Sequence, residues 1–153
     1  MLVTGGAGYI GSHLVDALIS RDYSVTVLDN LEPQVHRSGN WPSYVNADAN
    51  YIHGDVRDRK ALVSCVLAAD AVVHFAAAVS VGQSMYELDR YVGVNTGATG
   101  SLLDILVNKK HHVRKLIVAS SVGVYGEGAY KCGSCGPQFP PLRDAAQLAQ
   151  GNW

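Results

Sequence analysis

The stretch Leu2-Val-Thr-Gly-Gly-Ala-Gly-Tyr-Ile-Gly-Ser-His13 decides the fold of this chain. A short apolar run leads into three spaced glycines, and apolar residues then recur at helical spacing, which predicts a strand, a tight turn and a helix. Gly5 would take backbone angles closed to other residues, Gly8 would let the main chain approach a pyrophosphate, and Gly11 would let helix and strand pack closely. The pattern predicts a dinucleotide phosphate at the helix N-terminus, with a glycine turn that binds nothing as the alternative.

Composition narrows the classes of protein to which the chain can belong. The 153 residues carry a formal net charge of −1 with six neutral histidines, and no basic run favours nucleic acid or an anionic membrane surface as a partner. The apolar runs are only strand-sized, and no secretory signal pattern precedes the glycine turn. We therefore expect one domain in the cytoplasm. The three cysteines do not form a disulfide framework, and Cys65 is interpreted as a small core residue.

The spacing of apolar residues predicts an α/β fold. Strands are predicted at 1–4, 24–28, 51–56, 71–78 and from 115, and helices at 9–21, 59–68 and 84–108. The segment 31–50 contains proline, glycine and polar residues without helical periodicity, so a loop is expected in place of a crossover helix. The prediction is a Rossmann-type, doubly wound parallel sheet of order 3-2-1-4-5. Its fifth strand would leave an apolar edge at 116–118, which favours association or poor solubility.

Polar residues follow the second and third predicted strands. The second strand, 24–28, ends in Asp29-Asn30. The third, 51–56, has Asp55 and Val56 at its end and runs into Asp58, the expected N-cap of the next helix. In dinucleotide-binding folds an acidic residue about 20 positions past the glycines bonds the ribose hydroxyls and repels the extra phosphate of NADP. Asp29 therefore favours NAD, while Asp55 would bond the adenine amino group and Val56 would pack on the ring. Ordinary turn and capping chemistry is the alternative for both carboxylates.

The fourth strand is apolar on both faces and ends in small residues. Phe75, Ala76 and Ala77 would line the cofactor cleft, because open α/β sheets bind ligands at the carboxyl ends of their strands. His74 is interpreted as a packed strand histidine. Asn95, on the long predicted helix, would tie that helix to the strand ends beside the cofactor, or would be a partly exposed polar residue.

Five motifs resemble the extended short-chain dehydrogenase/reductase family of nucleotide-sugar epimerases and dehydratases. They are TGGAGYIGSH at 4–13, VLDN at 27–30, GDVRD at 54–58, HFAA at 74–77 and SSVGVYG at 120–126. Since they occur in this order over nearly all of 1–131, the resemblance implies an NAD-binding domain with those bounds, truncated before the later strands and the substrate lobe. Tyr9, Ile10 and Ala119 are expected to add cofactor contacts.

The resemblance also implies a reaction. Ser121 would hold the sugar hydroxyl being oxidised, a downstream tyrosine would remove its proton, and NAD would take the hydride and return it to the other face. Val122 and Gly123 stand where dehydratases carry an Asp-Glu pair, which implies epimerisation at C4 rather than dehydration. Three stretches, EPQVHR at 32–37, GQSMYE at 82–87 and YGEG at 125–128, resemble members like dTDP-L-rhamnose 4-epimerase, beside those like UDP-glucose 4-epimerase. A nucleotide-sugar substrate and a homodimer of the full-length form are the implied partners.

One pair of residues expected from the family is missing. None of the eight tyrosines is followed four positions later by lysine, so the sequence lacks Tyr-x-x-x-Lys. General acid–base assistance is typically worth about 10² to 10⁴-fold in rate. The chain is therefore interpreted as the NAD-binding, N-terminal portion of an epimerase that is inactive alone. The alternatives are a non-catalytic NAD-binding remnant or sensor, and a fragment of an NAD-dependent sugar dehydrogenase or decarboxylase.

Cys132 and Cys135 have the C-x₂-C spacing of a zinc knuckle. Two thiolates are half of a closed tetrahedral site, so no metal is expected here, although similar epimerases carry a second cysteine pair further along. The segment 132–153 is predicted to be an incomplete, loosely ordered insertion. A redox dithiol is not favoured either, because no helix N-terminus follows the pair to lower a thiol pKa.

Overall fold

The structure, a computed structural model, describes residues 1–152. They form two compact units, one from Met1 to Ala119 and one from Ser120 onward. Each unit is described by itself. No helix within residues 1–152 has the length and hydropathy needed to cross a membrane.

The first unit contains one parallel sheet with helices on both faces. The strands are β1 (Leu2–Thr4), β2 (Thr26–Asp29), β3 (Asn50–His53), β4 (Ala71–His74) and β5 (Lys115–Val118). The helices are α1 (Tyr9–Ile19), α2 (Arg59–Leu67), α3 (Val81–Ser84), α4 (Leu88–Tyr91) and α5 (Ala98–Asn108), with a π-helical turn at Val92–Gly97. The order β3-β2-β1-β4-β5 confirms the predicted topology, and a loop without a helix joins β2 to β3 as predicted.

The core lies on both faces of this sheet, because successive strand residues point to opposite sides. Leu2 and Val72 belong to a buried cluster with residues of α2 and α5, whereas Val3 and Val73 belong to a second cluster with residues of α1. Cys65 is buried in the first cluster, as expected for a small core residue. The sheet is therefore held in place by packing on both sides, and the carboxyl ends of its strands are free to carry a site.

The single helix predicted over 84–108 is confirmed in part: helical structure is continuous from Leu88 to Asn108 through the π-helical turn, but it is interrupted at its predicted start. Three helices and a π-helical turn cover this region, with residues 85–87 outside any helix. The glycines were expected to pack closely on the sheet, but a Cβ at Gly100 would meet nothing within 4 Å and one at Gly93 would lie 3.7 Å from an arginine side chain. Gly93 lies in the π-helical turn and Gly100 in α5, so neither glycine accounts for the interruption at 85–87.

The second unit contains a 3₁₀ turn, a hairpin and a short helix. The hairpin pairs β6 (Tyr130–Cys132) with β7 (Gly136–Gln138) in antiparallel register, and α6 covers Ala145–Ala149. The predicted insertion 132–153 thus holds part of a hairpin and a helix, and its last residue, Trp153, lies outside the described residues. The functional boundary after residue 131 stays a prediction.

Candidate functional site

The glycine turn between β1 and α1 is shaped by two of its glycines and left open at the third. Gly5 has φ +70°, and a Cβ there would lie 2.7 Å from the backbone nitrogen of Ala76. A Cβ at Gly11 would lie 2.2 Å from the Gly5 carbonyl oxygen. At Gly8 the nearest atom to a Cβ is that same oxygen, at 3.4 Å. Gly5 and Gly11 are therefore required by packing, whereas Gly8 keeps the space outside the turn free.

The N-terminus of α1 lies at this open glycine. Gly8 is the N-cap, and no side chain accepts a hydrogen bond from the first N–H groups of the helix. Tyr9 and Ile10, in the first turn, are 81% and 68% exposed. Uncapped N–H groups at a helix N-terminus attract anions through hydrogen bonding and the helix dipole. This end of α1 can therefore receive a phosphate.

Asp29 ties the glycine turn to the end of β2. Its carboxylate accepts the N–H of Ala7 at 3.0 Å and the N–H of Leu31 at 2.9 Å, one on each oxygen. The residue is only 8% exposed. Because each carboxylate oxygen has two lone pairs, Asp29 can accept one further hydrogen bond at each oxygen. The arrangement combines the turn chemistry considered above with room for a ligand diol.

Asp55 is held in place more completely. Its oxygens accept the backbone N–H and two guanidinium N–H groups of Arg57, at 2.7 to 2.9 Å, and the side-chain amide of Asn30 at 3.1 Å. These bonds, chiefly those from the Arg57 side chain, lower the pKa of Asp55 to about 2 against the opposing effect of burial. The carboxylate is ionised, and its four lone-pair positions are all used.

A cleft opens at the carboxyl ends of the strands and collects half of the predicted cofactor residues. Those that line it are Gly5, Asp29, Asn30, Asp55, Val56, Ala76 and Ala77. The predicted residues that do not line it are Gly8, Tyr9, Ile10, Gly11, Phe75, Asn95 and Ala119. The cleft thus joins the predicted ribose and adenine contacts, and the predicted phosphate contacts belong to the neighbouring glycine turn.

Three residues at this site were missed by sequence reasoning. Glu32 and Arg90 line the cleft, and their side chains form an ion pair at 3.2 Å. Arg90 also contacts Glu87 at 2.6 Å. The hydroxyl of Tyr44 donates to the carbonyl of Ala7 at 2.9 Å. The contacts of Glu32 with Arg90 and of Tyr44 with Ala7 join segments far apart in the chain, so no local sequence pattern predicts them.

A hydrogen-bond chain, buried at His74 and exposed at Asn95, runs from the segment after β4 to the π-helical turn. The N–H of Ala76 donates to the Thr4 hydroxyl at 3.2 Å, and that hydroxyl lies 2.8 Å from Nδ1 of His74. Nε2 of His74 lies 3.2 Å from the hydroxyl of Thr99, which donates to the carbonyl of Asn95 at 2.6 Å. Since each hydroxyl supplies one proton, the chain fixes His74 as the neutral Nε2–H form. Burial lowers its pKa, and the interpretation as a packed strand histidine agrees.

Asn95 connects the π-helical turn to the segment after β4. Its side-chain oxygen accepts the N–H of Ala78 at 2.8 Å, and its amide donates to the Ala78 carbonyl at 3.0 Å. Asn95 thus ties the helix to the segment that follows β4 and not to the strand end itself, and it is exposed, as the alternative expected. Its contact with a cofactor stays a prediction.

Ala119 and Ser121 follow β5 in the chain. The N–H of Ala119 donates to the carbonyl of His74 at 3.2 Å and extends the pairing of β4 with β5. Ser121 belongs to the second unit, where its hydroxyl oxygen accepts the N–H of Gly123 at 3.2 Å and caps the 3₁₀ turn. The hydroxyl proton of Ser121 remains available to a ligand, and its catalytic role stays a prediction.

Cys132 and Cys135 are free thiols at the turn of the β6–β7 hairpin. Within residues 1–152 no group of three or more His, Cys, Asp or Glu side chains converges on a point where a metal would bind. Hydrogen bonds from the Cys135 thiol and then from Ser134 lower the pKa of Cys132 to about 6. The strand β7 follows the pair, in agreement with the expectation that no helix N-terminus does, and the groups that lower the pKa of Cys132 lie in the hairpin turn itself.

Comparison with known proteins gives a consistent set of relatives. Residues 1–142 match the model of the NAD dependent epimerase/dehydratase family. The dTDP-L-rhamnose 4-epimerase of Burkholderia thailandensis is 34% identical over 100% of this chain, and the UDP-glucose 4-epimerase of Yersinia enterocolitica is 36% identical over 97%. This chain spans 43% and 42% of the length of these two proteins. The crystal structure of UDP-glucose 4-epimerase from Brucella ovis in complex with NAD is 37% identical, with a TM-score of 0.66, and the match covers 82% of this chain and 36% of that one.

Proposed function

Since the chain belongs to the NAD-dependent epimerase/dehydratase family, we propose that it is the NAD-binding portion of a nucleotide-sugar 4-epimerase. The observation that supports this most directly is the open glycine at an uncapped helix N-terminus beside a buried carboxylate. NAD, when bound, would supply the hydride acceptor and donor for a sugar carbon. The residues of this chain would bind and orient it.

The residues present fit a dinucleotide. Gly8 and the first N–H groups of α1 would receive the pyrophosphate, because a Cβ at Gly8 would stand in the space outside the turn. Asp29 would accept the two adenosine ribose hydroxyls on its remaining lone pairs. Its negative charge would repel a 2′-phosphate, which favours NAD over NADP.

The adenine end needs one local rearrangement. All four lone-pair positions of Asp55 are used, so an adenine amino group must replace one of its present donors. The Asn30 amide is the donor to replace, because its bond is the longest of the four and Asn30 itself lines the cleft. Val56 would then pack against the ring, and Ala76 and Ala77 leave room through their small side chains.

The sugar chemistry needs more than these residues. Ser121 would hold the reacting hydroxyl, but the sequence has no Tyr-x-x-x-Lys to supply a positioned base. We therefore propose that the 153 residues bind NAD and do not epimerise a nucleotide sugar by themselves. Incubation with UDP-glucose or dTDP-L-rhamnose and NAD, followed by chromatography, should show no 4-epimer. Formation of the 4-epimer would contradict this part of the proposal.

The binding function is tested with one glycine substitution. Titration calorimetry should show NAD binding to the 153-residue chain and at least about tenfold weaker binding to Gly8→Ala, whose methyl group occupies the space left for the pyrophosphate. The φ of Gly8 is −71°, so alanine fits the backbone and the fold should persist.

Gly100→Ala is the matched control. It makes the same change in α5, where a Cβ meets nothing within 4 Å, and it should bind NAD as the unsubstituted chain does. Circular dichroism checks that all three proteins are folded. Absence of NAD binding by the folded chain, or unchanged binding by Gly8→Ala, would overturn the proposal.

A further inference from the structure

The loop that joins β2 to β3 reaches the glycine turn through one side chain. The hydroxyl of Tyr44 donates to the carbonyl oxygen of Ala7 at 2.9 Å, and Ala7 is fully buried. Within residues 1–152 no backbone N–H donates to this carbonyl. A buried carbonyl group needs a hydrogen-bond partner, and the Tyr44 hydroxyl therefore completes the hydrogen bonding of the turn.

Ala7 lies between two glycines, so its backbone groups control the peptide planes on either side. Its N–H donates to the carboxylate of Asp29 at 3.0 Å, which fixes the plane before it. Its carbonyl shares a rigid plane with the N–H of Gly8, and that N–H donates only a long bond, 3.3 Å, to the Gly5 carbonyl. The bond from Tyr44 is therefore the shorter restraint on this second plane. Without it, the turn would have more conformational freedom at the residue that caps α1.

Contacts on both sides of Tyr44 hold its loop in place. Before it, Trp41 packs against Tyr51 of β3, and the centroids of the two rings are 4.9 Å apart. After it, the side-chain amide of Asn46 donates to the carboxylate of Asp16 on α1 at 2.9 Å. The loop is thus attached both to the sheet and to the helix that begins at the glycine turn. These attachments hold the Tyr44 hydroxyl in position independently of a ligand.

We propose that Tyr44 is a positioning residue for the phosphate-binding turn, a role that rests on the proposed function. Its hydroxyl fixes the peptide between Ala7 and Gly8, so that the first N–H groups of α1 face the pyrophosphate of NAD. The hydroxyl proton is engaged with Ala7, so Tyr44 acts through the backbone and donates no hydrogen bond to the cofactor. A turn that is fixed in advance binds more tightly, because less conformational entropy is lost on binding.

Tyr44→Phe tests this role because it removes the hydroxyl and keeps the ring. Calorimetric titration should show about fivefold weaker NAD binding than by the unsubstituted 153-residue chain. Tyr23→Phe is the matched control and should bind NAD as the unsubstituted chain does. Tyr23 is exposed to a similar extent, 51% against 56% for Tyr44, but it precedes β2 and lies at the opposite edge of the sheet from the glycine turn. Circular dichroism checks that both variants are folded.

A double-substitution cycle separates a positioning role from a general structural one. In the Gly8→Ala background the added methyl group already obstructs the place where the pyrophosphate would bind. Tyr44→Phe should therefore weaken NAD binding by less than about twofold in that background, because the two residues act on the same contact. A general loosening of the fold would instead weaken binding by the same factor in both backgrounds.

Two results would overturn the role of Tyr44. One is unchanged NAD affinity of Tyr44→Phe while the unsubstituted chain binds NAD. The other is a loss of affinity that is as large in the Gly8→Ala background as in the unsubstituted chain. Absence of NAD binding by the unsubstituted chain is a different result, because it would overturn the proposed function and the positioning role together.

Discussion

Asp29 shows how one side chain can serve both the fold and a ligand. Its position after a strand made both a ribose contact and an ordinary turn predictable from the sequence, and the structure contains the turn. The carboxylate accepts the N–H groups of Ala7 and Leu31, each oxygen can accept one further hydrogen bond, and Asp29 lines the cleft. The sequence could not show that the same atoms perform the structural task, because the partner Ala7 lies on a different element.

Asp29→Asn should lower both stability and cofactor discrimination. An amide nitrogen replaces one acceptor oxygen, so a backbone N–H loses its partner at a cost of about 1–3 kcal/mol in the free energy of unfolding. Loss of the charge should reduce the preference for NAD over NADP by about tenfold. Urea unfolding and paired NAD and NADP titrations measure the two effects, with exposed Asp22→Asn as the control. An unchanged NAD to NADP ratio would show that Asp29 serves only the turn.

His74 should make stability fall in mild acid. Burial lowers the pKa of His74 in the folded state, so below pH 6.5 its imidazole binds a proton more readily in the unfolded chain than in the folded chain. The contribution of His74 to the free energy of unfolding is fully present above that pH. It is lost as the pH falls, by no more than about 1.4 kcal/mol per pH unit. Urea unfolding at pH 7.5 and pH 5.5 measures the loss. The loss should shrink in His74→Gln, and an equal loss in both proteins would rule out His74 as its source.

Among the helices, strands and caps, those determined by neighbouring residues in the sequence were predictable. The N-cap of α2 was predictable because Asp58 precedes a helical pattern, and its carboxylate does accept the N–H groups of Lys60 and Ala61. The interruption at 85–87 was not predictable, because Met85-Tyr86-Glu87 contains neither proline nor glycine. The π-helical turn is accompanied by the two hydrogen bonds between Asn95 and Ala78, which exist only once the strands are assembled.

Asp58→Ala should remove the N-cap of α2 and destabilise the chain by about 1 kcal/mol. The carboxylate oxygen lies 2.8 Å from the N–H nitrogen of Lys60 and 3.3 Å from that of Ala61, and alanine leaves both without this acceptor. Asp58→Asn keeps an oxygen acceptor, so its free energy of unfolding should fall much less. Urea unfolding of the three proteins gives the comparison, and equal stability of Asp58→Ala and Asp58→Asn would contradict a capping role.

At the scale of the molecule, the strand order was predictable because short connections and apolar strands leave few topologies. Only some of the residues that line the cleft were predictable from the sequence. Glu32 and Arg90 meet across it because α4 follows the unpredicted break, so no sequence spacing relates them. The cleft residues that were predicted from the sequence lie at or just after strand ends. The end of a parallel strand in the chain determines which edge of the sheet such a residue occupies.

The edge of the sheet at β5 should make the chain associate. In the described sheet β5 pairs only with β4, and Ile117 and Val118 on it are each 45% exposed. An unpaired, apolar strand edge accepts another chain. Light scattering after size exclusion should show species larger than a monomer, and Ile117→Lys should shift them toward the monomer. Val35→Lys, at an exposed loop valine, should not. A monodisperse monomer of the unsubstituted chain would contradict the prediction.

The uncapped start of α1 implies a trade-off between robustness and function. Helices are most often stabilised at this position by Ser, Thr, Asp or Asn, and Gly8 leaves the N–H groups of the first turn without such an acceptor. A serine or aspartate at position 8 would therefore raise the stability of the ligand-free chain, and its side chain would fill the space that a phosphate would use. Selection for stability alone would favour that replacement. The glycine marks a place where the chain gives up some of its own stability so that a bound anion can complete the helix.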